Sequence, residues 1–329
     1  MTTDSMPIES VDSPDDSGRT MNYGKEKVSV YRTYATPLDG VRTIPESQFD
    51  GRENILFGHD VRVQVEGEEF LSSFSERDNS MVVATDSMKN FVLHQAGEYD
   101  GATTEGFLHF VGSQFLETYS QMERVRMSAN EIAFDERSVP AGNGEFELSD
   151  LVFRVSDDES AFGEVYLARG EDVPVIEDLT GGVTDIELVK VKGSSFEGYV
   201  QDEYTTLPER ADRTLYITLD IFWSYTDPEN ALGEEPEQYV PAEQVRDIAQ
   251  VVFHEVDSNS IQDLIYQIGQ RVLKRFPQLE SVSFEANNRT WIRERDDLDG
   301  DAKVLKEPPR PTGFQQFSMD HSDLEETAQ

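Results

Sequence analysis

A chain of 329 residues with 66 Asp and Glu against 28 Lys and Arg carries a formal net charge of −38, which makes nucleic acid and anionic membranes poor partners. It contains no Cys, so disulfides, thiolate zinc sites and a Cys nucleophile are excluded. No apolar run approaches the length of a membrane span and the N-terminus is polar, so the sequence predicts a soluble, cytoplasmic protein.

Residues 1–20, rich in Ser, Asp and Pro, read as a disordered acidic leader. Val28 and Val30 alternate with Ser29 and Tyr31 as in a half-buried strand, and Ser80 to Ala84 is a short apolar run ending at Thr85-Asp86. Two helical stretches follow, the second with Phe107, Leu108, Val111, Phe115 and Leu116 at helical spacing, and then a strand-like Val125 to Phe134. Pro, Gly, Asn and Gly cluster between Pro140 and Glu145, which places a boundary there, between units covering 21–140 and 141–318.

The second half has the same grammar. Leu215, Ile217, Leu219, Ile221 and Trp223 alternate with Tyr216, Thr218, Asp220 and Phe222, as in a strand with one buried face. Pro241 suits a first helical turn; Val245, Ile248, Ala249, Val252 and Phe253 form one apolar stripe, and Ile261, Leu264, Ile265, Ile268 and Val272 a second. A last strand covers Val282 to Trp291, and residues 319–329 read as a disordered tail. Strands, two helices and strands, done twice, predict an α+β chain of two units, each an antiparallel sheet with helices on one face.

The acidity is dispersed through these periodic segments rather than gathered in blocks, and Lys is scarce, with eight against twenty Arg. An acidic folded surface of this kind suits molar salt, where the Debye length is about 3 Å. The expectation is the cytoplasm of a salt-accumulating halophile, the alternative being an ordinary acidic enzyme.

The usual constellations of catalysis are missing. His59, His94, His109, His254 and His321 include no H-x-H or H-x-x-x-H pair, so a His-built metal site has little support. Asp297, Asp299 and Asp301 have the early spacing of a calcium loop, but Ala302 stands where that loop needs Gly and Pro308 where it needs Glu. No Walker loop, dinucleotide fingerprint or nucleophile elbow occurs.

One segment is more informative. Phe196-Glu197-Gly198 is followed by Asp202-Glu203-Tyr204-Thr205-Thr206-Leu207-Pro208-Glu209 and then Ala211-Asp212-Arg213. It sets an aromatic face, able to stack on a planar ligand, near a guanidinium able to grip that ligand's edge. This order resembles the second-domain signature of the urate oxidases (uricases). Val83-Ala84-Thr85-Asp86-Ser87-Met88-Lys89-Asn90 is similar to the family's V-A-T-D-S-x-K-N, and Tyr23-Gly24-Lys25 to its Y-G-K.

The resemblance implies two tandem T-fold (tunnelling-fold) domains per chain, and four chains closing their sheets into a barrel with active sites at subunit interfaces. It also implies oxidation of urate by molecular oxygen to 5-hydroxyisourate and hydrogen peroxide, with neither metal nor organic cofactor. Two other readings stand beside it: a non-catalytic purine-binding T-fold protein, and another T-fold enzyme acting on a pterin or purine.

By their places in the family's motifs, Phe196 would stack on the purine and Arg213 would donate a two-pronged hydrogen bond to its edge. Ile261 and Gln262, in Ser260-Ile261-Gln262, resemble the family's S-V-Q, with the Gln262 amide pairing the opposite edge. Thr85 and Asp86 match positions that reach the substrate from a neighbouring subunit, and Lys25 the catalytic lysine that shares a proton relay with Thr85. Glu285-Ala286-Asn287-Asn288-Arg289 aligns with a stretch that reads P-N-K-H in many members. Asn287 matches the Asn that orients oxygen or water, with Asn288 one residue on as an alternative register. Arg289 replaces the His of the relay, and an Arg cannot exchange protons near neutral pH.

Overall fold

A computed structural model of the chain describes residues 21–142, 144–156, 159–289, 291–295, 298, 302–307 and 312–326. Strands form where apolar residues alternate: Val61, Val63 and Val65 are fully buried, while Asp60, Arg62, Gln64 and Glu66 between them turn to the opposite face. Helices form where apolar residues recur every three or four positions, as in the buried stripe Phe107, Leu108, Val111, Phe115 and Leu116. Thr103 and Ser260 cap two of the helices, their hydroxyls accepting from the amides of Gly106 and Asp263.

In chain order the elements are β1 (Asn22–Thr33), the short β2 (Leu38–Asp39) and β3 (Gly51–Arg52), β4 (Leu56–Glu66), α1 (Leu71–Ser75), α2 (Thr85–Glu98), α3 (Thr104–Thr118) and β5 (Arg124–Glu131). Then come β6 (Phe134–Pro140), β7 (Phe146–Val155), β8 (Ser160–Ala168), β9 (Val175–Lys190), β10 (Leu215–Tyr225), α4 (Ala242–Glu255) and α5 (Ile261–Arg275). The last are β11 (Leu279–Asn288), β12 (Ile292–Arg295), β13 (Val304–Lys306), β14 (Gly313–Asp320) and α6 (Ser322–Glu326).

One antiparallel sheet of eight strands runs β1-β4-β5-β8-β9-β10-β11-β14. Helix α2 packs on β1, α3 on β5 and β8, α4 on β9, and α5 on β11, so all four cover one face. The other face carries Arg62, Arg126, Tyr166, Tyr216, Asp220 and Glu285 and has no layer over it among the described residues. No helix among the described residues is long and apolar enough to cross a membrane.

The α+β class and the twofold repetition agree with the sequence reading: β1, β4, α2, α3, β5, β8 is repeated as β9, β10, α4, α5, β11, β14. Three details differ. The Pro140–Glu145 cluster is the turn of the β6–β7 hairpin, closed by Ala141 N–H donating to Glu145 O at 2.9 Å, and the pattern turns over between β8 and β9. Gly142 and Gly144, at φ 83° and 92°, serve a hairpin turn as readily as a linker, so composition alone could not separate the two. The last strand of the repeat is β14, and Met319, placed beyond the second unit at 318, pairs with Val282 and is 3% exposed in the core. The leader at 1–20 and the candidate calcium ligands Asp297, Asp299 and Asp301 lie outside the described residues.

The segment between β1 and β4 ties the two units together. Glu46, its side chain 4% exposed, accepts from both Arg271 and Arg275 of α5. Gln244 of α4 donates to the carbonyls of Arg42 and Phe49, and Arg52 bridges Glu131 and Glu243 at 2.6 and 3.2 Å.

Candidate functional site

The predicted residues fall into two groups. In the first, Lys25 sits on edge strand β1 opposite Val63, just before the strand bulges. A Cβ on Gly24 would lie 1.9 Å from the Val63 carbonyl oxygen, so only glycine lets the two backbones approach this closely. Tyr23 packs edge-on against Phe70, and its hydroxyl accepts from Val83 N–H at 2.9 Å, which fixes the loop leading into α2. Thr85 opens that helix. Lys25, Thr85, Gly24, Arg62 and Gln64 line one cleft of about 340 Å³. Asp86 is exposed, and its carboxyl is held below the usual range by the Lys89 ammonium that donates to it at 2.6 Å, with Lys25 a further cation in reach.

In the second group, backbone bonds converge on Ser194. Its carbonyl accepts from Arg213 N–H at 2.8 Å, and it forms a bridge to Ser258, whose carbonyl accepts from Ser195 N–H at 2.9 Å. Two residues on, Phe196 exchanges both backbone bonds with Arg210. The Arg213 guanidinium carbon lies 5.2 Å from the centre of the Phe196 ring, and Tyr199 stacks on that ring at 4.7 Å. Burial pulls the Arg213 pKa down, and its Nε is enclosed without a hydrogen-bond partner. A guanidinium so placed is ready for an anionic or carbonyl-edged ligand. Through Ser258 the same lacing brings in the start of α5, where Gln262 is exposed. Ile261 turns its side chain into the core, leaving its first-turn N–H as the group it can offer.

Asn287 lies on β11 opposite Thr218, at the same end of the sheet and on its open face. Asn288 pairs with Ile217 and so belongs to the alternation of the helix-covered face, which favours Asn287 as the outward group. Arg289 donates its amide to Tyr216 O at 2.9 Å and lays its guanidinium over the Tyr216 ring. Tyr216 and Glu187, the side chains that hold Arg289, were not singled out from sequence. Tyr216 lies on the polar side of the β10 alternation, and Glu187 on the neighbouring strand β9, where it pairs with Thr218.

The two groups do not meet within one chain. The row of partners from Lys25 runs through Val63, Met127 and Val165 to Leu179, beside the C-terminal end of β10, whereas Arg213 precedes its N-terminal end. That is about 40 Å along the strands and, over five strand spacings, about 24 Å across them. No group of three or more His, Asp or Glu side chains that could hold a metal occurs among the described residues.

Comparison with known proteins gives a consistent picture. The family model for Uricase matches residues 21–166 and 179–316, and the gap between the segments falls at β8–β9, where the topology repeats. A uricase of Halalkalicoccus jeotgali is 78% identical and one of Haloferax volcanii 76%, each alignment covering 93% of this chain and all of the relative. Among solved structures, urate oxidase from Bacillus sp. TB-90 superimposes with a TM-score of 0.90 at 47% identity, covering 92% of this chain and all of that one. A uricase from Bacillus fastidious gives 0.90 at 50%, covering 94% and 96%. With both halves of its repeat matched and relatives this similar over their whole length, the chain belongs to the uricase family.

Proposed function

We propose that this protein is a urate oxidase of a halophile's cytoplasm, converting urate, O2 and water to 5-hydroxyisourate and hydrogen peroxide without a cofactor. The observation that carries the reading is the Phe196–Arg213 pair laced to the start of α5. It sets an aromatic ring beside a guanidinium whose Nε has no hydrogen-bond partner, with the exposed Gln262 amide nearby in the chain, a set of groups matched to a planar purine anion with polar edges. Stacking fixes the plane of the ring, and the two edge contacts fix its rotation within that plane.

Urate supplies the two electrons that oxygen takes up, so the protein's tasks are binding, proton movement and placement of oxygen or water. Lys25 and Thr85, which share a cleft, are suited to moving the proton. Asn287 is suited to orienting oxygen or water above the ring, and Thr85 and Asp86 to closing the far side of the substrate.

The separation of the two groups supports a site completed by a second subunit, with Lys25, Thr85 and Asp86 of one chain facing Phe196, Arg213, Gln262 and Asn287 of another. A homotetramer, as the resemblance implies, would hold such shared sites. Oxygen uptake and peroxide release on adding urate to protein passed through a chelating resin test the reading. Uptake that appears only when a metal or organic cofactor is restored would overturn its cofactor-free part, and no uptake under any condition would overturn the function itself.

A further inference from the structure

We propose that Tyr216 is a positioning residue for the reaction, its phenol fixing the direction of the Arg289 guanidinium on the open face of the sheet. The inference rests on the reading that Asn287 and Arg289 face the substrate. Arg289 continues the line of β11 and donates its amide to Tyr216 O, so the two residues stand opposite one another and share a face. The guanidinium carbon is 5.1 Å from the centre of the Tyr216 ring, and Nη1 donates to the phenol oxygen at 3.4 Å. That hydroxyl in turn donates to Glu187 Oε2 at 2.5 Å, and the ring meets Trp291 at 5.5 Å and 64°. The phenol is therefore pinned by its own hydrogen bond and by packing before it touches Arg289.

The carboxylates around Arg289 hold it less well. Glu187 and Glu307 reach the guanidinium only at 3.9 Å each, and their side chains are 56% and 68% exposed. Exposed pairs of that kind constrain geometry little. An aromatic face with an oxygen at its rim fixes both the position and the tilt of a planar cation.

The neighbouring row on this face holds Thr218 and Asn287, about 7 Å along the strands. A fixed cation one row from Asn287 stabilises the negative charge that grows on oxygen as it accepts electrons from urate, without exchanging a proton itself. Among the described residues the carboxylates within 4 Å of the Arg289 guanidinium are Glu187 from β9 and Glu307 following β13.

The test is steady-state oxygen uptake by the assembled protein and its variants, with thermal melting as the control for folding. Tyr216→Phe keeps the ring and removes both hydrogen bonds; it is expected to lower kcat about five- to tenfold with KM within about twofold of wild type and an unchanged melting midpoint. Arg289→Ala should lose at least as much, and the double variant should be no worse than Arg289→Ala alone, because the phenol acts through the guanidinium. Glu187→Gln, which keeps an acceptor for the phenol, should retain activity, whereas Glu187→Ala should match Tyr216→Phe. Losses that multiply in the double variant, a rise in KM alone, or an Arg289→Ala variant with full kcat would each overturn the inference while leaving urate oxidation standing. A wild-type protein inert toward urate would instead defeat the functional reading on which it rests.

Discussion

Arg213 holds its guanidinium 5.2 Å from the centre of the Phe196 ring while its own amide is bonded to Ser194, two residues before that ring. The stacking surface and the cation are thus placed by one short stretch of backbone, and a shift of either would carry the other with it.

The first prediction concerns binding. Arg213→Ala and Gln262→Ala each leave polar edges of the bound purine unpaired, at a cost of about 1 to 3 kcal/mol, which is about a five- to 150-fold rise in KM for urate. Arg213→Lys should recover only part of the loss, because an ammonium cannot make the two-pronged contact. Unchanged KM in both alanine variants would remove these residues from the site.

Lys25→Ala and Thr85→Ala should lower kcat far more than they raise KM, and the double variant should be little worse than either single if the two serve one relay. The distance between the site halves gives a sharper test. Mixed and reassembled, Lys25→Ala and Arg213→Ala chains should turn over low concentrations of urate faster than either variant alone, since a hybrid interface contains one site with an intact Lys25 and an intact Arg213. Mixtures no faster than the variants alone would argue that each chain carries its own complete site.

Assembly and turnover should fall together as potassium chloride is lowered. Each chain contributes −38 formal charges, and at about 0.01 M salt the Debye length reaches about 30 Å, so repulsion acts across the whole particle. Sedimentation velocity and oxygen uptake across one salt series measure both. A fully active monomer at low salt would contradict the shared site.

Glu105 gives a pH prediction. It is buried in the core with the Tyr239 hydroxyl at 3.3 Å, and burial pushes its carboxyl up to about 8 from an ordinary 4.5. The folded state therefore keeps a proton that the unfolded chain gives up above about pH 4.5, so this contribution to stability is complete below that pH and is lost as the pH climbs through about 8. Unfolding free energies from urea titrations at constant potassium chloride should fall between pH 6 and 8, by on the order of 1 kcal/mol per pH unit from this group. Glu105→Gln, which cannot titrate, should flatten that fall. An identical slope in the variant would show that Glu105 is not the group responsible.

Much of this protein is written in local chemistry. The alternation of Leu215 to Trp223 and the stripes on α3, α4 and α5 follow from the periods of strand and helix, and each forms where it was expected. The motif around Phe196 and Arg213 could be identified because its residues lie within eighteen positions of one another and are laced by short-range backbone bonds.

Long-range pairing decided the rest. A Pro–Gly cluster serves a hairpin as well as a linker, so only the register of β6 with β7 showed which it was. Nothing local in Gly313–Asp320 announces that it completes the sheet beside β11. The sequence names Lys25 and Arg213 together but cannot say that they stand at opposite ends of one sheet, because their separation is a sum of strand registers across six strands. The partnership of Tyr216 with Arg289 and Glu187 likewise joins residues 73 and 29 positions apart. Side-chain period fixes which face a residue takes; only the completed sheet fixes which residues share it.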